Sequence, residues 1–225
     1  MPIVGAVSPN WLRAVPPQTL GRVIRYLADS FAELRQLHPP QHAFSQHEPA
    51  LTLSLSQHAD LQDRKEAEGI SGAFAAEAMA PVRDASGTVR KNGRTDILFT
   101  LGDAGAPQVV FEFKKLDGGA AHRRAYFSDG LVRFVSGKYA PDRGQGVMVG
   151  LTRQPPPTEV QRLLADIAAG GFADTHACEP DPSGAVAHRP SGVAPGIADF
   201  DTVHHRVPPA VVTPFTVAHV MMHCP

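Results

Sequence analysis

Apolar residues recur along this chain first at helical and then at strand spacing. Leu20, Val23, Ile24, Leu27, Phe31 and Leu34 follow one another at intervals of three, four and seven, drawing one apolar stripe along a helix. Pro16 and Pro17 suit its first turn, and Pro39-Pro40 cannot continue it. Residues 48–61 read two ways. Residues 51–56 alternate like a strand, yet Leu51, Leu55 and Ala59 are spaced by four and Pro49 suits a helix start. Residues 60–69 are charged and read as a solvated helix end or loop.

From Phe74 the period shortens to two. Phe74, Ala76, Ala78, Ala80 and Val82 share one face of an expected strand, with Glu77 on the other. Ser86-Gly87 and Asn92-Gly93 are turn signals. A second strand is expected over 95–101, a hairpin loop over 102–107 and a third, largely buried strand over 109–116. Gly118-Gly119 breaks the chain before a helix over 120–138, whose stripe is Phe127, Leu131, Phe134 and Val135. Gly144 and Gly146 form a turn into residues 146–151, which are wholly apolar and imply a strand covered on both faces. A helix over 158–169, a Pro/Gly/Ser-rich loop over 179–196 and two strand-like runs, 197–204 and 213–222, complete the chain. The fold class expected is α/β, a mixed central sheet flanked by helices. One domain is expected over 1–225, with an N-terminal helical extension (1–45), a core (46–152) and a C-terminal β extension (153–225).

Composition narrows the class. Hydrophobic residues make up 43% of the 225, enough for a sizeable core. The net charge of −1 favours no partner, but its distribution is uneven. Residues 83–143 hold 11 basic against 7 acidic residues and the remainder 10 against 15, so a basic middle suited to a polyanion sits in an acidic frame. Two cysteines, Cys178 and Cys224, make no disulfide framework and point to a reducing compartment. No stretch is apolar enough to span a bilayer, so the reading is a cytoplasmic protein with no membrane partner.

The chemistry concentrates in two short runs, 94–99 and 109–114. Asp96 opens one expected strand; Glu112 and Lys114, two apart on the next, point to one face. A hairpin brings Asp96 across from Glu112. Two carboxylates in an apolar setting cost several kcal/mol unless compensated. A divalent cation compensates them, and oxygen ligands favour Mg2+. The plainer alternative is a surface hairpin with a salt bridge from Lys114 to Asp96 or Glu112. His176, Cys178, His219, His223 and Cys224 invite a structural zinc site, although their spacing matches no common zinc module. His204-His205 reads either as a phosphate contact or as an ordinary strand-end pair.

Asp96, fifteen intervening residues, then Glu112-Phe113-Lys114 resembles the motif of the PD-(D/E)XK nuclease superfamily. The expected element order over 46–152 resembles that family's core. Thr95 departs from the pattern, standing where the family's name has proline. The resemblance implies a restriction-endonuclease-like, metal-dependent endonuclease that hydrolyses DNA and leaves 5′-phosphates, with a place in phage defence or DNA processing. It implies that Asp96, Glu112 and the Phe113 carbonyl ligate Mg2+ or Mn2+, and that Lys114 orients or helps deprotonate the attacking water. Glu48 resembles the acidic residue that many members carry on the first core helix, which favours the helical reading of 48–61. The helix over 120–138 would line the nucleic-acid groove with Arg123, Arg124, Tyr126, Arg133 and Lys138, beside His122. DNA is the expected partner, with RNA an alternative. A homodimer, an activating partner protein and a non-catalytic scaffold of the same fold are further expectations. Lys115 is expected at the surface, and Glu77 is either a spare acidic ligand or solvated.

Overall fold

A computed structural model describes residues 15–76, 79–83, 89–102, 107–139, 143–206 and 214–225, with backbone alone for 79–83 and 89–94. Glu77, Ser86-Gly87 and the middle of the 102–107 loop lie outside the described residues.

The apolar stripe of α1 (Pro17–Leu37) is buried along its length, from Leu20 to Leu34. After a 3-10 turn (Pro39–His42) comes α2 (Glu48–Ala59), so the ambiguous run is a helix. Pro49 stands in its first turn, and Leu51, Leu55 and Ala59 are its buried side. The charged stretch that follows forms α3 (Gln62–Ala67). It is not wholly solvated: Lys65 is buried, its ammonium donating to Asp60 Oδ1 at 2.8 Å and to the Gly72 carbonyl at 3.0 Å.

The expected strand over 74–82 is two. β1 (Ala73–Ala76) pairs with β4 (Ile97–Thr100), whereas β2 (Met79–Arg83) pairs with β3 (Val89–Arg94) in a separate ribbon. One register, Ala76 opposite Ile97 and Met79 opposite Arg94, runs through both pairings, so the ribbon continues the sheet's hairpin past an interruption beside Asp96. Asn92-Gly93 is not a turn. It lies inside β3, where the ladder shifts by one residue between Met79 and Pro81, and it marks an irregularity of the strand.

β5 (Gln108–Leu116) lies antiparallel to β4 and parallel to β6 (Gln145–Thr152). Between β5 and β6 the chain crosses over through α4 (Ala120–Ala125), a π-helix (Tyr126–Leu131) and α5 (Val132–Val135). The single helix expected over 120–138 is therefore a composite ending at Val135. Then α6 (Pro156–Ala168), α7 (Phe172–Thr175), β7 (Phe200–His204) and β8 (Phe215–His223) follow. The six-stranded mixed sheet has the order β1-β4-β5-β6-β8-β7. β8 runs parallel to β6 and lies inside the sheet, with β7 outside it. The C-terminal strands thus complete the sheet, and β8 is covered on both sides.

Helices flank both faces. Val109, Phe111, Phe113, Val147 and Val149 pack on the side of α1 and α2. Val110, Leu116, Met148 and Val217 pack on the side of the π-helix, α5 and α6. Every residue of β6 is buried, as its unbroken apolar run implies. No helix among the described residues is long and apolar enough to cross a membrane.

Candidate functional site

The site begins where a strand ends. β4 pairs with β5 only from Thr100 opposite Gln108 to Ile97 opposite Phe111. Beyond Phe111 the β4-side edge of β5 has no strand partner, and its N–H groups at alternate residues need acceptors. Two carboxylates serve. Asp96 Oδ2 accepts the Phe113 N–H at 2.8 Å, and Glu48 Oε2 accepts the Lys115 N–H at 3.0 Å. Asp96 thus lies in a bend just before β4 instead of opening it, while Glu48 occupies the first turn of α2.

Lys114 binds the cluster together. Its ammonium donates to Glu112 Oε1 at 2.6 Å, to the Phe113 carbonyl at 2.8 Å and to Glu48 Oε1 at 3.3 Å. Those three acceptors match its three protons. The side chain of Glu112 is fully buried, and those of Lys114 and Glu48 are 13% and 23% exposed. Glu112 also receives Arg133, whose Nη1 lies 2.7 Å from Oε1 and 2.7 Å from the Tyr139 hydroxyl. Glu112 Oε2 is buried with no hydrogen-bond partner.

Burial, reinforced by Asp96, pushes the Glu112 carboxyl up to about 7 despite Lys114 and Arg133. Burial also raises Glu48, with Lys114 opposing it. For Lys114, burial works against the charge, but Glu112 and Glu48 outweigh it and hold the ammonium above the ordinary lysine value. A lysine so held is a fixed positive charge and hydrogen-bond donor; it is poorly suited to take a proton.

Asp96, Glu112, Lys114 and Glu48 are therefore brought together, and the Phe113 carbonyl joins them through Lys114. The salt bridge expected from Lys114 to Glu112 is present at 2.6 Å, but it is not a surface one, because Glu112 is buried. Among the described residues no three or more His, Cys, Asp or Glu side chains stand in a metal-holding group. The donor set nonetheless fits a hard cation. It offers carboxylate and carbonyl oxygens, and the unpartnered Glu112 Oε2 is a buried acceptor with no donor.

The expected nucleic-acid face divides. Tyr126 is a correction. It is fully buried on the same side as Phe127, Gly130 and Leu131, and its hydroxyl reaches His219 Nδ1 at 2.9 Å. Arg123 is held by Asp166 at 2.6 Å and by the Gly118 carbonyl at 2.9 Å; His122 pairs with Asp117 at 2.7 Å. Arg124 and Lys138 are exposed. Arg133 joins the carboxylate cluster. Lys115 is half-buried on the opposite face, donating to the Gln46 carbonyl at 3.0 Å with its ammonium 4.3 Å from the Phe44 ring centre.

The zinc candidates do not converge. Cys224 lies against the His42 carbonyl at 3.6 Å, and His223 is exposed. His219 and His204 belong to a buried chain of hydrogen bonds instead. The His176 carbonyl can only accept, so His204 Nδ1 donates to it at 2.8 Å and Nε2 must accept from Thr202 at 2.7 Å. Thr202 then accepts from His219 Nε2 at 2.9 Å, and the Tyr126 hydroxyl donates to His219 Nδ1. Burial holds His204 down to about 4 and His219 well below its ordinary value, so both rings are neutral. His204 is thus no phosphate contact; His205 is exposed beside Glu179 at 3.2 Å. Burial pushes the Cys178 thiol up to about 12, which leaves it a poor nucleophile.

Sequence reasoning missed the Arg133–Glu112–Tyr139 bonds. Compared with family models, with curated proteins and with solved structures, the chain matches none.

Proposed function

We propose that this protein is a metal-dependent nuclease acting on DNA phosphodiesters, with a restriction-endonuclease-like core. One observation carries the reading. Asp96, Glu48, the Phe113 carbonyl and the Lys114 ammonium meet at the uncovered edge of β5, and Glu112 joins them through Lys114 with a buried oxygen unpartnered. The order of α2, an antiparallel β1-β4-β5 sheet, a helical crossover and a parallel β6 adds support, since the PD-(D/E)XK resemblance implies that order.

Asp96, Glu112, Glu48 and the Phe113 carbonyl would hold Mg2+ or Mn2+. When bound, the ion would acidify water and offset charge on the phosphate. The residues in contact at the site carry three carboxylates and two cations, one net negative charge if all are ionised. A divalent ion would change that to one positive, the complement of a phosphodiester. Lys114, kept protonated by Glu112 and Glu48, holds a fixed positive charge beside the attacking water and the phosphate. Water adds to phosphorus, its proton passes to solvent, and the P–O3′ bond breaks with the 3′ oxygen taking a proton. The phosphate stays on the 5′ side.

The test is cleavage of plasmid and linear DNA by the purified chain with Mg2+ or Mn2+. Asp96→Ala, Glu112→Ala and Lys114→Ala should each lower the rate by on the order of 100-fold or more. Full activity in all three variants sinks the site assignment, and an inert wild type under all these conditions sinks the reading.

A further inference from the structure

Arg133 has one nitrogen committed and the rest of its fork unused. The two protons of Nη1 go to Glu112 Oε1 and to the Tyr139 hydroxyl, each at 2.7 Å. Among the described residues Nε and Nη2 make no hydrogen bond, and 30% of the side chain is exposed. A guanidinium tethered at one corner and open along the other edge is pre-organised for a planar or tetrahedral oxyanion.

The surrounding fold fixes this placement. Gly130 of the π-helix meets β5 so closely that a Cβ there would stand 3.3 Å from Lys114 Cγ and 2.5 Å from Met148 Cε. Three residues later, one helical turn on, Arg133 faces the same strand at Glu112. Tyr139, also fully buried, packs edge-on against Phe134 with ring centres 5.6 Å apart, so its hydroxyl is a fixed anchor.

We propose that Arg133 is a further catalytic residue that grips a non-bridging oxygen of the scissile phosphodiester through its Nε–Nη2 edge, while Glu112 and Tyr139 hold the fork in place. The inference rests on the nuclease reading and gives Arg133 a task distinct from general groove contacts. Lys114 cannot share it fully, because its protons are already given to Glu112, Phe113 and Glu48.

The experiment measures binding and cleavage separately on the full chain. Binding of a short DNA duplex is followed against salt concentration with Ca2+ replacing Mg2+, and single-turnover cleavage is followed with Mg2+. Arg133→Met should bind about tenfold more weakly, with a salt slope smaller by about one, and should cleave about 100-fold more slowly. Arg133→Lys should restore the slope but not the cleavage rate, because lysine keeps the charge and loses the fork. Tyr139→Phe keeps the ring packing and removes one tether, so cleavage should fall about tenfold with the salt slope unchanged. That variant carries the test if Arg133→Met does not fold. A wild type that binds and cuts DNA while Arg133→Met, or in its place Tyr139→Phe, matches it overturns the Arg133 assignment alone. A wild type that neither binds nor cuts overturns the nuclease reading and this inference with it.

Discussion

Glu112 holds its proton more tightly in the folded chain than in the unfolded one. Burial and the neighbouring Asp96 move its pKa from 4.5 to about 7. A raised value means that its contribution to stability is complete below 4.5 and is lost as pH rises through about 7. His204 acts in the opposite sense. Its value is lowered from 6.5 to about 4, so the stability it contributes is present above 6.5 and is lost as pH falls through about 4. The two slopes oppose each other across the interval they share. Glu112→Gln removes one of them, and the variant's stability relative to wild type should rise by on the order of 3 kcal/mol between pH 4.5 and 7 and stay level above. Urea titrations at stepped pH measure this difference; a constant gap would mean that Glu112 titrates as an ordinary carboxyl. Much of this residue-scale picture is legible in the sequence, since strand alternation places Glu112 and Lys114 together and the hairpin brings in Asp96. Glu48 is legible only through the family resemblance, because it lies 66 residues from Lys114. Tyr139 carries no such signal, Arg133 reads only as a groove contact on a basic helix and not as a partner of Glu112, and Tyr126 misleads. A tyrosine among arginines reads as surface, yet its partner His219 lies 93 residues away on the last strand.

At the scale of elements, the crossover between β5 and β6 decides what faces the site. Apolar spacing alone predicts one continuous helix there. The π-helix is invisible to that spacing, because a single widened turn shifts the register without changing which residues are apolar. With Tyr126 pinned to His219 at its start, the helix sets Gly130 against Lys114 and Arg133 against Glu112. Gly130→Ala places a methyl against Met148, which has no exposed surface to move into, and against the stem of Lys114. The expected cost is about 1–3 kcal/mol, with the proposed cleavage reduced as Lys114 is displaced. Gly170→Ala, where a Cβ would meet nothing within 4 Å, is the control and should stay within about 0.5 kcal/mol of wild type. Chemical denaturation and cleavage assays on the two variants separate the outcomes; equal behaviour would show that the close approach at Gly130 is dispensable.

The whole molecule is organised by one mixed sheet between two helical layers. Its first half follows the chain and is readable from period and turns. Its second half is not, because the position of β8 between β6 and β7 depends on a pairing between segments about 70 residues apart. The long hairpin is also only partly legible: its alternation suggests a single strand, whereas the break beside Asp96 divides it into a sheet and a ribbon. That break has a consequence for solubility as well as for chemistry. An unpaired row of main-chain donors on a sheet is an invitation to a foreign strand. Here Asp96 and Glu48 occupy the donors of Phe113 and Lys115, so the same carboxylates that form the site also keep this edge closed to self-association. A double variant, Asp96→Ala with Glu48→Ala, should therefore lose more than the proposed cleavage. It should form oligomers on storage that light scattering detects, while Lys114→Ala, which leaves both caps in place, should stay at the wild-type size.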